Sequence, residues 1–158
     1  MVVSGSECAV YDEAVPFNPE LYKFFQHVTS KYPQLKLLGV CFGHQILAHS
    51  LGGKASRLPN LNQSIIAGIE KIEIQDALKE KNFYQETLKE LGGQPINEFF
   101  AVETHGDHVE KVPEDGQLYA KSEHTSVEMW GKGNQILCMQ FHPEFTENFA
   151  KRKILRNG

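Results

Sequence analysis

Cysteine is scarce in this chain of 158 residues, and Cys8, Cys41 and Cys138 form an odd set without CxxC spacing. That argues against a disulfide framework or a structural zinc site, and it favours a reducing compartment. Long apolar runs are missing too: none reaches the ~18 residues of a membrane span, and no basic-then-apolar stretch opens the chain. Neither sign of charge dominates. Sixteen Lys and Arg against 20 Asp and Glu leave a formal −4 and a pI near 6.0, which speaks against a nucleic-acid clamp or a basic membrane helix. Linkers, low-complexity tracts, internal repeats and an ATP-binding loop are likewise absent. The expectation is one cytoplasmic α/β domain over residues 1–158, whose 41% hydrophobic content is enough for a sizeable core.

The chain is organised around residues 35–53, LKLLGVCFGHQILAHSLGG. The apolar run 35–40 has the length of a buried strand. After Cys41-Phe42-Gly43 the period becomes helical, with Ile46, Leu47, Ala48 and Leu51 on one face, and Gly52-Gly53 supplies a C-terminal stop. Cys41 therefore stands at a tight strand-to-helix turn, with Gly39 and Gly43 two residues to either side. This is the spacing of a nucleophile elbow with Cys in place of Ser. Small neighbours let helix and strand approach a strained turn, and the helix's positive end favours thiolate over thiol. The same letters also fit a buried Cys in an ordinary βα turn.

Upstream, residues 1–3 read as a strand and Ser4-Gly5-Ser6 as a turn whose amides would face an anion, or as a plain strand end. Asn18-Pro19-Glu20 opens a helix with Leu21, Phe24, Phe25 and Val28 on one face, ended by Tyr32-Pro33. The first third is thus strand, helix, strand, helix, as in a parallel α/β sheet. The middle is weaker. Residues 64–74 alternate enough for one or two strands, with Ile65, Ala67 and Ile69, then Ile72 and Ile74, inward. Residues 76–91 carry Leu78, Tyr84, Leu88 and Leu91 at near-helical spacing, and their Lys and Glu residues make a solvated face.

The last third is informative again. A short strand at 99–103 leads to Thr104-His105-Gly106-Asp107-His108, whose HxxH spacing lacks the further ligands of a metal motif. Residues 118–121 and 126–130 read as hairpin-type strands, with 131–134 as the turn. The buried strand 136–141 runs into His142-Pro143-Glu144. In an extended segment His142 and Glu144 point to one side, so the carboxylate can orient the imidazole. Alone, the tripeptide also fits a structural turn.

Together, Gly39-Val40-Cys41-Phe42-Gly43-His44-Gln45, Leu51-Gly52-Gly53, Thr104-His105-Gly106-Asp107-His108-Val109 and Gln140-Phe141-His142-Pro143-Glu144, in this order, resemble the class I glutamine amidotransferase family. The resemblance covers nearly the whole chain and extends to the glutaminase domain of GMP synthase and to stand-alone γ-glutamyl peptidases. It implies a flavodoxin-like, three-layer α/β/α fold with the elbow at the carboxyl edge of the sheet. Cys41 would be the nucleophile, His142 the acid–base and Glu144 its orienting partner. The backbone N–H groups of Phe42 and of the Gly5-Ser6 turn would form the oxyanion hole. Gln45 and the segment Thr104, His105, Gly106 and Asp107 would hold glutamine, with no metal and no cofactor. Cys8 and Cys138 would be structural.

Family members open with a βαβ segment before the strand matching residues 1–3, a unit of at least ~30 residues; the resemblance therefore implies an N-terminally truncated domain. The activity implied is cleavage of the side-chain amide of glutamine, or of a γ-glutamyl bond, through a γ-glutamyl thioester. A synthase subunit receiving ammonia, a stand-alone γ-glutamyl peptidase with no such partner, an inactive truncated copy acting as a binding module, and a different α/β thiol enzyme stay open. Neither nucleic acid nor membrane is expected as a partner.

Overall fold

The computed structural model describes residues 1–59 and 65–157. In chain order the elements are β1 (Val2–Val3), α1 (Asn18–Lys31), β2 (Leu37–Val40), α2 (Phe42–Ser50), β3 (Lys54–Arg57), β4 (Ile66–Ile74), α3 (Asp76–Lys79), α4 (Asn82–Glu90), β5 (Glu98–His105), β6 (Asp107–Lys111), β7 (Gln117–Lys121), β8 (Met129–Lys132), β9 (Ile136–Met139) and α5 (Glu147–Asn157). Seven strands make one sheet in the order β1-β2-β9-β8-β7-β4-β5, while β3 and β6 pair separately.

The strand-helix-strand-helix start is present, but parallel pairing stops early. β1, β2 and β9 run parallel, with Val3 opposite Gly39 and Gly39 opposite Cys138. The other four strands are joined antiparallel, β9 to β8, β8 to β7, β7 to β4 and β4 to β5. Of those pairs, only β7–β8 and β8–β9 are consecutive elements; α3 and α4 lie between β4 and β5, and β5 and β6 between β4 and β7. Helices cover both faces, giving the expected three layers. Trp130 and Cys138 pack with Phe25, Val28, Ile46 and Leu47 from α1 and α2. Their strand neighbours Met129 and Leu137 pack on the opposite face with Leu78, Tyr84 and Leu88 from α3 and α4. Strand residues divide between two cores because successive side chains point to opposite faces.

α1 begins at Asn18 with Pro19 in its first turn and ends in Lys31, each at the end its chemistry prefers. Phe25 and Val28 are buried, but Phe24, expected on the same face, is 42% exposed. α2 is buried nearly all round, Phe42 to Ala48 without a break, because it lies between α1, the sheet and the β3–β6 ribbon.

The middle differs most from its sequence pattern. Ser64, the expected start of the strand at β4, lies outside the described residues. Ile69, expected inward, is 65% exposed and Ile66 is buried in its place, so the first half of the strand has the opposite phase, whereas Ile72 is buried as expected. Isoleucines at both parities make that phase ambiguous. The helix expected over 76–91 is two helices broken at Glu80–Lys81, and Leu91 is exposed. β3 has no apolar alternation and is specified by its partner β6. β8 begins at Met129 and continues through Lys132, placing the turn at Gly133, where φ is +52°.

Candidate active site

Cys41 has φ 53° and ψ −109°, and is the one non-glycine residue with positive φ among the described residues. A side chain held there costs ~1–3 kcal/mol, which the surroundings must offset. They do so from both sides: the Cys41 N–H donates to Met139 O at 2.9 Å, and Cys41 O accepts the Gln45 N–H at 3.1 Å. The flanking glycines are required by contact. A Cβ on Gly39 would lie 2.6 Å from Gly43 O and 2.9 Å from Cys138 Sγ; one on Gly43 would lie 2.0 Å from Val3 O.

A cleft of about 540 Å³ opens over the sulfur. Gly5 stands at its edge, where a Cβ would meet Cys41 Cβ at 3.6 Å, Cys41 Sγ at 3.9 Å and His142 Cε1 at 3.3 Å. With no side chain there, Cys41 and the His142 imidazole face the same space, and a Cβ would press closely on the ring. The backbone N–H of His142 donates to Val102 O at 3.0 Å, fixing the segment after β9 against β5. Its Nδ1 lies 2.8 Å from Glu144 Oε1, while Nε2 is buried and has no hydrogen-bond partner among the described residues. The pair is made across a turn, closed by Phe145 N–H to His142 O at 3.3 Å, rather than along an extended strand. Phe145 stacks on the imidazole at 4.2 Å with 14° between planes.

Burial dominates the thiol. It pushes Cys41 up to about 11, and the carboxyls of Glu103 and Glu144 add to the rise where they are ionised. The Phe42 N–H at the start of α2 and the Gln140 amide favour the anion but do not outweigh it. The expectation that the helix terminus would favour a resting thiolate is therefore corrected: its effect is present and smaller than desolvation.

The second wall is residues 104–107, all lining the cleft together with Gln45. The Gln45 amide donates to Asp107 O at 2.9 Å and to Gln140 Oε1 at 3.0 Å. His105 Nδ1 lies 2.8 Å from the same Asp107 O, which can only accept, so Nδ1 carries the proton. Its Nε2 is 3.2 Å from Glu103 Oε2 but out of hydrogen-bond alignment. Both partners are fully enclosed; burial lowers the His105 pKa and pushes Glu103 up to about 8, so this contact joins neutral groups and is not an ion pair. Glu128 is raised to about 8 as well, by burial and then by Glu103. His44, behind the elbow, reaches Val127 O at 3.1 Å and is held neutral, its pKa lowered to about 3 by burial. His105 and His108 of the HxxH segment turn to different neighbours, His108 facing Ser56 Oγ at 3.3 Å. No group of three His, Cys, Asp or Glu placed to hold a metal occurs among the described residues.

Cys41, His142, Glu144, Gly5, Ser6, Gln45, Thr104, His105, Gly106 and Asp107 thus share one cleft, with Phe42 buried just beneath it. Cys8, read as structural, also borders that cleft, whereas Cys138 is fully enclosed. Sequence reading passes over Arg57, whose Nη1 lies 3.4 Å from Asp107 Oδ1, and Tyr11, whose hydroxyl donates to that oxygen at 3.0 Å. It also passes over Phe145 and Phe149. Only Phe145 leaves a signal, being adjacent to the His-Pro-Glu motif.

The chain is similar to known proteins over most of its length. The family model for glutamine amidotransferase class-I matches residues 10–158. The chain is 34% identical over 113 residues to γ-glutamyl peptidase 5 of Arabidopsis thaliana, covering 71% of this chain and 41% of that protein. It is 30% identical over 163 residues to a glutamine-hydrolysing GMP synthase of Thermosipho melanesiensis, covering 99% and 26%. The fold superposes on a glutamine amidotransferase from Thermotoga maritima with a TM-score of 0.75 at 23% identity, over 98% of this chain and 61% of that one. The chain therefore spans less than two thirds of each of these proteins. No helix among the described residues is long and apolar enough to cross a membrane. With the family pattern matched from residue 10 to the end, on a fold that superposes on a solved member, the chain belongs to the class I glutamine amidotransferases, a family of glutamine amidohydrolases.

Proposed function

We propose that this chain cleaves a γ-glutamyl amide, with glutamine as the simplest substrate, through a thioester on Cys41. The observation that carries the reading is the juxtaposition at Gly5: a strained cysteine and an imidazole whose Nδ1 is tied to Glu144 and whose Nε2 is unpartnered meet in one cleft. Because burial keeps the thiol protonated, His142 Nε2 takes the proton as sulfur attacks the γ-carbonyl. Glu144 holds the imidazole's orientation and supports its positive charge. Negative charge developing on the carbonyl oxygen is met by the N–H of Phe42 and one from the Gly5-Ser6 turn. His142 returns the proton to the departing amine. Water then resolves the thioester, releasing glutamate and restoring the thiol.

The amino-acid end of the substrate lies against residues 104–107 and Gln45. Delivery of ammonia to a synthase and release of an amine by a stand-alone peptidase share every step and differ in the leaving group. The relatives named above represent both outcomes. The test is ammonia release from glutamine together with labelling by a chloroketone analogue of glutamine. Wild type is expected to release ammonia and gain one adduct at Cys41, and Cys41→Ala to do neither. Turnover retained in Cys41→Ala, or an adduct on Cys8 instead, overturns the assignment. A folded wild type that neither turns over nor labels is a binding module.

A further inference from the structure

Ammonia needs no surface to rest on while it departs, yet the cleft provides a sizeable one beside its acid–base group. Phe145 covers one face of the His142 ring at 4.2 Å, and Phe149 on α5 meets Phe145 edge-on at 4.6 Å and 67°. Both rings line the cleft, and Phe149 is 44% exposed there, an apolar side chain standing in water beside reacting groups. The proton that leaves Nε2 must land on the departing nitrogen, so the leaving group lies within reach of this aromatic stack. Nε2 is buried, unpartnered and unoccupied by any other donor or acceptor among the described residues. The cleft's volume of about 540 Å³ falls in the range, ~300–1,000 Å³, of pockets that enclose a ligand larger than one amino acid.

Charge divides the same space. Arg57 and Asp107 stand together by the 104–107 segment, a cation and an anion suited to the carboxylate and ammonium of an α-amino acid. Beside His142 stands Glu144, and Glu7 also lines the cleft, so a carboxylate carried by the departing amine meets like charge there.

We infer that the His142–Phe145–Phe149 stack is a leaving-group subsite that selects γ-glutamyl amides of apolar amines lacking a carboxylate. This rests on the thioester chemistry proposed above. The step is the same and balances. Sulfur bonds to the γ-carbonyl carbon as the carbon–nitrogen bond breaks, the thiol proton passes through Nε2 to the nitrogen, and the free primary amine departs in place of ammonia. Water then yields glutamate and free thiol.

The test compares kcat/KM of the full chain for glutamine, γ-glutamylbenzylamide and γ-glutamylphenylalanine, which differ in the ring and in a carboxylate on the leaving amine. Wild type is expected to prefer the benzylamide about tenfold over glutamine, as one ring-on-ring contact would give, and several-fold over γ-glutamylphenylalanine, whose carboxylate meets the like charge of Glu144. Phe149→Ala should cut the benzylamide-to-glutamine ratio about 5- to 10-fold, chiefly through KM, and Phe149→Tyr should restore it. A thermal melt of each variant checks the fold. Equal kcat/KM for glutamine and benzylamide in wild type, or a ratio unmoved in Phe149→Ala, overturns the subsite while leaving the thioester reading intact. Turnover of none of the three, with no chloroketone adduct at Cys41, overturns both.

Discussion

Two histidines that line the cleft stand two residues from a glutamate, and the spacing is nearly all they share. In His142-Pro143-Glu144 the ring is buried and the carboxylate is half in water, 2.8 Å away across a turn. In Glu103-Thr104-His105 both groups are shut inside strand β5, 3.2 Å apart and out of line. Water decides the difference. A hydrated carboxylate keeps its charge cheaply and can steady a protonated imidazole, whereas an enclosed one avoids ionising and its histidine stays neutral. In the mechanism proposed above, the first pair can therefore cycle a proton. The second can only hold a shape: Nδ1–H of His105 on Asp107 O, and with it the 104–107 wall of the cleft.

Removing the cycling ring should have the largest effect. His142→Ala is expected to lower kcat by about 10²–10⁴, the usual yield of a positioned general acid–base group. The ring lines the cleft, so its loss widens an existing opening rather than emptying a sealed core. Steady-state ammonia release alongside a thermal melt separates lost chemistry from lost structure; activity that merely follows stability would reduce His142-Pro143-Glu144 to a turn.

Its carboxylate comes next. Glu144→Gln keeps the shape and removes the charge, so a residual rate about tenfold or more below wild type is expected. Because the two residues act as one unit, the His142→Ala, Glu144→Ala double variant should be barely slower than His142→Ala alone. Multiplicative losses in that double variant would show that Glu144 acts independently of His142.

What can be read in the chain, and what cannot, follows the range of the interactions involved. The elbow is legible because its demands are local. Gly39 and Gly43 sit two residues from Cys41, even though the atoms that require them, Val3 O and Cys138 Sγ, come from other strands. Three layers are legible from the alternation of strand and helix at the start, but the antiparallel half is not, since pairing direction depends on partners far along the chain. Ile69 points the other way because isoleucines occupy both phases of β4. Arg57 is invisible, since only the β3–β6 ribbon carries it to Asp107. Phe149 reads as one more apolar residue of a helix face until Phe145 and His142 are placed beneath it.

The enclosed carboxyls offer the smallest effect on turnover and the sharpest test of the comparison. Glu103 and Glu128, from β5 and the approach to β8, are both raised to about 8 from an ordinary 4.5, chiefly by burial. After burial they act chiefly on each other: the Glu128 contact lowers Glu103 and the Glu103 charge and contact raise Glu128, with Glu70 acting on Glu103, and Ser122 and His105 on Glu128, Ser122 Oγ donating to Glu128 Oε1 at 2.7 Å. A carboxyl whose folded pKa is raised gives stability that is complete below about 4.5 and lost as pH climbs through about 8. Across that window each titrating group can cost up to ~1.4 kcal/mol per pH unit, so Tm should fall by several degrees between about pH 5.5 and 8.5. Glu103→Gln removes one titration and leaves an amide that can donate to Glu128. Its melting curve should be flatter with pH and its Tm at about pH 8.5 should exceed that of wild type, with turnover at neutral pH changed only a few-fold. A Tm that rises across the same pH range, or one whose slope Glu103→Gln does not alter, would mean that the inner pair is ionised after all and that enclosure does not separate the two histidines.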